Sequence, residues 1–247
     1  MVFDAKQIRG LISSLKWYFQ AKNLALKNAV AIKCPLTVDQ QNDVRVFYSL
    51  YLANLLSATE MLLEKEYPFS QDFKHELEAA FSFPNFPDGE SNYSYLRELR
   101  NAVIHRGFDI SSSVHILDEM PLMIAPESIK NRNGKKSYSA FGFYLLEMIY
   151  TVDPIIGNLI ENHLQAKGLL QPLSNQEEVA TETQANLRNA VGVPDWVKNM
   201  ALSHVGELDY EEMQLDQIKS FVAILQENVL SSIKGDALNS ISKCNRA

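Results

Sequence analysis

Between Leu96 and Gly107 the chain reads Leu-Arg-Glu-Leu-Arg-Asn-Ala-Val-Ile-His-Arg-Gly, which sets Arg100, Asn101 and His105 close together. A guanidinium is a fixed, always-charged fork that matches phosphate oxygens, and an imidazole exchanges a proton near neutral pH. Together they suit cleavage of a phosphodiester, a chemistry that needs no metal. Asn101 can orient the imidazole or hold substrate, while Arg97 and Arg106 raise the local positive potential along an RNA backbone. On a helix, Asn101 and His105 stand one turn apart, but Arg100 and His105 are separated by about 140° around the axis, so Arg100 needs its full length to reach the histidine. The same residues have a purely structural use: cations near a helix C-terminus offset its dipole, and a histidine there caps the helix or fills the core. Spacing alone favours that use, because a chain with 23 Lys plus Arg and five His produces such a pair readily.

The elements that must position these residues are helical. Ile8, Leu11, Ile12, Leu15 and Phe19 recur at three and four, predicting an amphipathic helix from Asp4 to about Ile32, ended by Cys34-Pro35. A second helix opens at Thr37 with Gln40 as its capping-box partner; it carries Val44, Phe47, Tyr48, Tyr51, Leu55, Ala58 and Leu62 on one face and closes before Tyr67-Pro68. Ser70 caps a shorter third helix with Phe73, Leu77, Ala80 and Phe81 inward. The motif helix follows, from near Ser91 to Gly107, with Tyr95, Leu99, Ala102 and Val103 buried and glycine at the left-handed stop. Val114–Leu117 and Leu122–Ala125 read as extended, and Asn133-Gly134 as a tight turn, giving a small hairpin or ordered loop. A long apolar helix from Ser139 to about Gln165 contains Pro154 and ends at Gly168. Gln171 to about Asn189 is polar and reads as a linker, helical in part. Beyond it, Pro194 opens a short helix with Trp196 and Met200, and a helix from Tyr210 to Ile233 repeats Ile218, Phe221, Val222, Leu225 and Val229. The fold class expected is all-α: a helical bundle over 1–170, a linker over 171–190 and a C-terminal helical extension over 191–247.

Composition narrows the function. Hydrophobic content of 46% and charged content of 21% are those of an ordinary globular protein. Asp4, Lys6, Arg9 and Lys16 interrupt any leader-like apolar run, and no later run is read as long enough to span a bilayer, so a cytoplasmic protein without membrane partners is expected. Cys34 and Cys244 stand alone, and His75, His115, His163 and His204 lack ligand spacing, so no metal site is expected. P-loop, GxGxxG and GxSxG signatures are missing, which argues against the commonest NTPases, dinucleotide enzymes and α/β-hydrolases. A net charge of −7 confines any nucleic-acid site to a local patch.

Leu96 to Gly107 resembles the signature of the HEPN family, an arginine, a polar residue, then a histidine, and the order of helices from Asp4 to Gln165 fits a HEPN bundle. The resemblance implies a homodimer whose two motif helices form one cleft, working as a metal- and cofactor-independent endoribonuclease that leaves a 2′,3′-cyclic phosphate, as toxins and antiphage effectors do, with an antitoxin or other protein as partner. His105 would act as general base or acid at the ribose 2′-hydroxyl, Arg100 would hold the scissile phosphate, and Asn101 fills the polar position. Glu60, on the preceding long helix, is the candidate for an assisting carboxylate. The family also contains non-catalytic dimerisation and binding modules, and an all-α regulatory protein with a coincidental motif is a third reading, favoured if His105 packs into the core.

Three further clusters have an everyday use beside a functional one. Lys130, Arg132, Lys135 and Lys136 surround Asn133-Gly134 and can grip a phosphate backbone with Tyr138 stacking on a base, or form a solvated turn. Trp17, Tyr18, Phe19, Phe47, Tyr48 and Tyr51 can line a pocket or fill a core. Glu207, Asp209, Glu211, Glu212 and Asp216 can meet a partner or make an acidic helix start.

Overall fold

The structure is a computed structural model that describes residues 4–172 and 176–232. Among them the chain is predominantly helical, with eight α-helices and two small two-stranded antiparallel sheets.

Asp4 starts α1 (Ala5–Ala31) with a capping box: its carboxylate accepts from Gln7 N at 2.7 Å and its own N–H donates to Gln7 Oε1. Thr37 and Gln40 do the same for α2 (Val38–Leu63). The two long helices pack side by side. Ile8, Leu11, Leu15, Phe19, Leu26 and Ala29 are buried from α1, and Val44, Tyr48, Tyr51, Leu52, Leu55, Leu56 and Leu62 from α2. The aromatic series divides accordingly: Phe19, Tyr48 and Tyr51 are core, whereas Trp17 is 60% exposed. The expectation that no run reaches spanning length fails for α2, whose 26 residues include a window of mean hydropathy 1.3. Its apolar excess goes into the bundle, where one face meets α1 and another meets α4.

Ser70 is the first residue of α3 (Ser70–Ala80), not its cap; Phe69 takes that position without a side-chain bond. Phe73, Leu77 and Phe81 are inward as expected, and Ala80 is half-buried. α4 (Gly89–Arg106) then crosses α2 and α3. A Cβ on Gly89 would stand 1.7 Å from the Glu78 carbonyl oxygen, so only glycine lets α4 begin there.

β1 (Val114–Leu117) and β2 (Met120–Met123) form a hairpin through Asp118 and Glu119, both left-handed at φ 47° and 64°. β3 (Ser128–Lys130) and β4 (Ser137–Ser139) form a second hairpin around Gly134 at φ 70°. That second pairing consumes Ser139, so α5 (Leu145–Ala166) begins later than its periodicity suggests, where Glu147 Oε2 accepts from Phe143 N at 2.9 Å and Tyr144 N at 3.4 Å. α5 runs through Pro154.

The chain divides into two compact units, one formed by the sequence up to His163 together with the segment from Ile224 onward, the other by Leu164–Ala223. This differs from the three-part division expected from composition. The polar stretch 171–190, expected to be helical in part, carries α6 (Gln176–Asn189), followed by α7 (Asp195–His204) and α8 (Tyr210–Leu225). α7 starts after Pro194 as expected, yet buries none of its residues, and Trp196 and Met200 face solvent. The last predicted helix stops at Leu225; Ile233 and Cys244 lie outside the described residues.

The chain after Ile224 packs into the first unit by burying Leu225, Val229 and Leu230, and polar groups pin it there. Asn23 Nδ2 donates to Glu227 Oε2 at 2.8 Å, Lys27 pairs with Glu227 at 2.6 Å, and Gln226 donates to Glu161 at 2.8 Å. Beside this lies a buried charge network. Lys22, 1% exposed, meets Asp153 Oδ1 at 2.7 Å and Asn23 Oδ1 at 2.6 Å, its ammonium lies 4.7 Å from the Phe19 ring centroid, and the Tyr51 hydroxyl donates to Asp153 at 2.8 Å. Desolvation pulls the Lys22 pKa below its ordinary value, against the opposing pull of Asp153 and Glu227. A buried cation of this kind is tolerable only while its counter-charge stays. Asp153→Asn is therefore expected to lower the urea unfolding free energy by about 3–5 kcal/mol, and adding Lys22→Met in the same chain to recover much of it, read from paired denaturation curves.

Candidate functional site

The Asp88 carboxylate accepts from Ser91 N at 2.8 Å and starts α4. That bond holds the Asp88 pKa below the usual carboxylate range. At the other end Gly107 adopts φ 69° and its N–H donates to the Ala102 carbonyl, the left-handed stop that its sequence position suggests. Between these ends Tyr95, Leu96, Leu99, Ala102 and Val103 are buried. At 100° per residue these fix the rotation of the helix, and Arg97, Arg100, Asn101, Ile104 and His105 fall together on the remaining arc of about 140°. Arg97, Arg100 and Asn101 are half-buried, while His105 is exposed and Ile104 is 47% exposed. His105 is thus outside the core, and the reading that depends on its packing there loses its support.

Arg100 stands at one edge of the arc and His105 at the other. Among the described residues no hydrogen bond joins the two. Arg100 Nη2 instead donates to Glu60 Oε1 of α2 at 2.5 Å, with side-chain exposures of 15% and 33%. The carboxylate proposed from its helical position alone is therefore in direct contact with the motif arginine. Arg100 Nε is buried without an acceptor. The same α2–α4 seam contains the Tyr93–Thr59 hydroxyl pair at 2.8 Å, and burial pushes the Tyr93 phenol up to about 12 while the charges of Arg97 and Arg100 pull against that rise. Tyr93 therefore stays neutral at the floor of this face.

The other candidate residues separate. Asn101 Nδ2 donates to Glu98 Oε1 at 3.5 Å. Arg106 turns away from the arc: Nη1 donates to the Lys130 carbonyl at 2.7 Å and Nη2 to the Glu98 carbonyl at 2.9 Å, with Glu98 Oε2 3.5 Å away. Its fork clips the end of α4 to β3, and this leaves Arg97 as the flanking cation on the exposed arc. Glu98, a buried carboxylate that serves both Asn101 and Arg106, carries no signal in the sequence beyond its place in the motif. Among the described residues no group of three or more His, Cys, Asp or Glu side chains is placed to hold a metal ion. A second buried polar node, His163 with Tyr67 at 2.9 Å on Nε2 and Glu76 at 2.8 Å on Nδ1, joins α5 to α3 and lies on other helices than the arc.

No family model, curated protein or solved structure matches the chain. The arc itself thus supplies the argument about function.

The Glu60–Arg100 contact is half-screened by solvent, so a double-mutant cycle with Glu60→Ala and Arg100→Ala is expected to give a coupling of about 1 kcal/mol in urea unfolding. Gly107→Ala meets open space but a left-handed backbone, and is expected to cost about 1–2 kcal/mol in the same measurement.

Proposed function

We propose that the exposed arc of α4 is one half of a metal-independent RNA-cleaving cleft, completed by the same arc of a second copy. One observation carries this reading: the arginine, amide and histidine suited to phosphodiester chemistry share one arc on the C-terminal half of α4 that is half-buried to exposed, with a large apolar residue, Ile104, exposed among them. Within one chain, Arg100 and His105 diverge; two antiparallel α4 helices related by a two-fold axis set His105 of each copy beside Arg100 of the other. The likeness of Leu96–Gly107 to the HEPN signature supports the same arrangement and extends it to an effector held in check by a protein partner.

In that cleft His105 takes the proton of a ribose 2′-hydroxyl, and the freed oxygen attacks the adjacent phosphorus. The P–O5′ bond breaks as the P–O2′ bond forms, leaving a 2′,3′-cyclic phosphate. The departing 5′-oxygen takes a proton from solvent, and the imidazolium returns its own. Arg100 faces the non-bridging oxygens, where charge accumulates in the transition state; Glu60 takes its Nη2, and the guanidinium must swing outward for its buried Nε to donate to phosphate as well. Asn101, one turn before His105, lines the floor between them.

A second reading shares the dimer but not the chemistry. Glu60 already neutralises Arg100, as a pure interaction module would require, and the exposed Ile104 serves such a contact equally well.

The two readings part on activity. Wild type, His105→Ala and Arg100→Ala are incubated with RNA in excess chelator after each is shown to be folded and dimeric. The expected outcome is cleavage by wild type to cyclic-phosphate ends, with losses of about 100-fold or more in both variants. Equal activity in all three contradicts catalysis at this arc.

A further inference from the structure

We propose that the β3–β4 hairpin, clipped by Arg106 to the end of α4 that bears His105, is an arm that grips the phosphate backbone of single-stranded RNA. The inference rests on the reading of α4 as an RNA-cleaving face and adds to it how the strand is held.

The arm is the most cationic segment of an acidic chain. Lys130, Arg132, Lys135 and Lys136 fall within seven positions, and no acidic residue occurs between Glu127 and Glu147, against a net charge of −7 overall. All four are exposed, and among the described residues none is in an ion pair. An uncompensated cluster of this kind repels itself and attracts a polyanion.

The tip is also built rather than slack. Asn131 N donates to the Lys136 carbonyl and Gly134 N to the Asn131 carbonyl, each at 2.9 Å. The side-chain oxygens of Asn131 and Asn133 accept from Lys136 N at 3.2 Å and Lys135 N at 3.0 Å. The cations are therefore presented from a fixed turn, which lowers the ordering cost of binding.

Register sets which way the arm faces. Ile129 pairs with Tyr138, and Ile129 is buried on the side where the hairpin meets α4. Tyr138 shares that inner face, so it is no stacking platform. Lys130 and Ser137 point to the opposite, outer face. That outer side carries cations, amides and hydroxyls but no apolar anchor of the kind that membrane insertion or a protein hot spot uses. A chain of phosphates fits it.

Position ties the arm to the site. Arg106 Nη1 donates to the Lys130 carbonyl at 2.7 Å, and the Tyr95 hydroxyl donates to the Pro126 carbonyl at 2.7 Å, so both ends of the hairpin's first strand are bonded to α4. His105 is the neighbour of Arg106 in the chain. Around the helix His105 stands about 100° from Arg106, so the arm and the exposed arc flank the same end of α4 from different sides.

The test is a titration of a short, labelled single-stranded RNA of mixed sequence, followed by anisotropy between about 50 and about 200 mM salt. His105→Ala protein is used so that the RNA survives, with and without Lys130→Gln, Arg132→Gln, Lys135→Gln and Lys136→Gln together. Neutralising four phosphate contacts is expected to flatten the slope of log affinity against log salt by up to about 3, so that the unsubstituted arm loses up to about 50-fold more affinity across that range. The charge reversal Lys135→Glu with Lys136→Glu, at exposed turn positions, is expected to weaken binding further while circular dichroism stays unchanged. Equal affinity and slope in all three proteins overturns the proposal, as does an arm that binds phosphatidylserine vesicles while RNA binding is unaffected by the substitutions. The two readings fail separately: RNA held through the arm but left intact by wild type removes the cleavage, whereas RNA cleaved by wild type and bound equally by every arm variant removes the arm.

Discussion

The ion pair between Glu60 and Arg100 is the contact on which the candidate site turns, because it joins the core helix α2 to the one open arc of α4. Its energy is small. A partly exposed pair is worth about 1 kcal/mol or less, whereas burial of each of Leu96, Leu99 and Val103 is worth about 1.5–3 kcal/mol. The stripe therefore decides how α4 is rotated, and the ion pair decides where the Arg100 guanidinium points once it is. The result is an arginine held by one edge and unable to reach the histidine of its own chain. In the proposed cleft, that divergence is what a second copy would resolve.

Charge is divided unevenly around this seam. The densest group of open cations in this acidic protein is on the hairpin that Arg106 clips to α4, and along α4 carboxylates are used locally, Glu60 for Arg100 and Glu98 for Arg106. Elsewhere its buried charges serve assembly: Lys22 and Asp153 tie α1 to α5, and the same corner receives the returning chain at Glu227. The cations facing solvent near His105 and those spent on the fold are thus different residues.

Local rules explain what could be read in advance. The Thr37–Gln40 capping box, the stop at Gly107, the β1–β2 hairpin and the buried stripes of α1, α2 and α4 follow from spacing and cap chemistry. What escaped depends on distance in sequence. Lys22 with Asp153 and His163 with Glu76 meet across most of the first unit, and no local pattern marks a lysine as buried. The bounds of α6 could not be read because its sequence has few apolar residues to set a period, and the late start of α5 because Ser137–Ser139 pairs with β3 instead of continuing a helix. At the site, the motif gave Arg100 and His105, and helical position gave Glu60. The role of Arg106 depends on the Lys130 carbonyl and was beyond the reach of spacing.

The claim that most needs a direct measurement is that each site takes its arginine from one copy and its histidine from the other. Arg100→Ala and His105→Ala chains, separately tagged, are combined and the heterodimer is isolated and incubated with RNA. One composite site then has both residues intact, and the account predicts cleavage well above that of either parent homodimer. A heterodimer that assembles yet remains as inactive as both parents contradicts it.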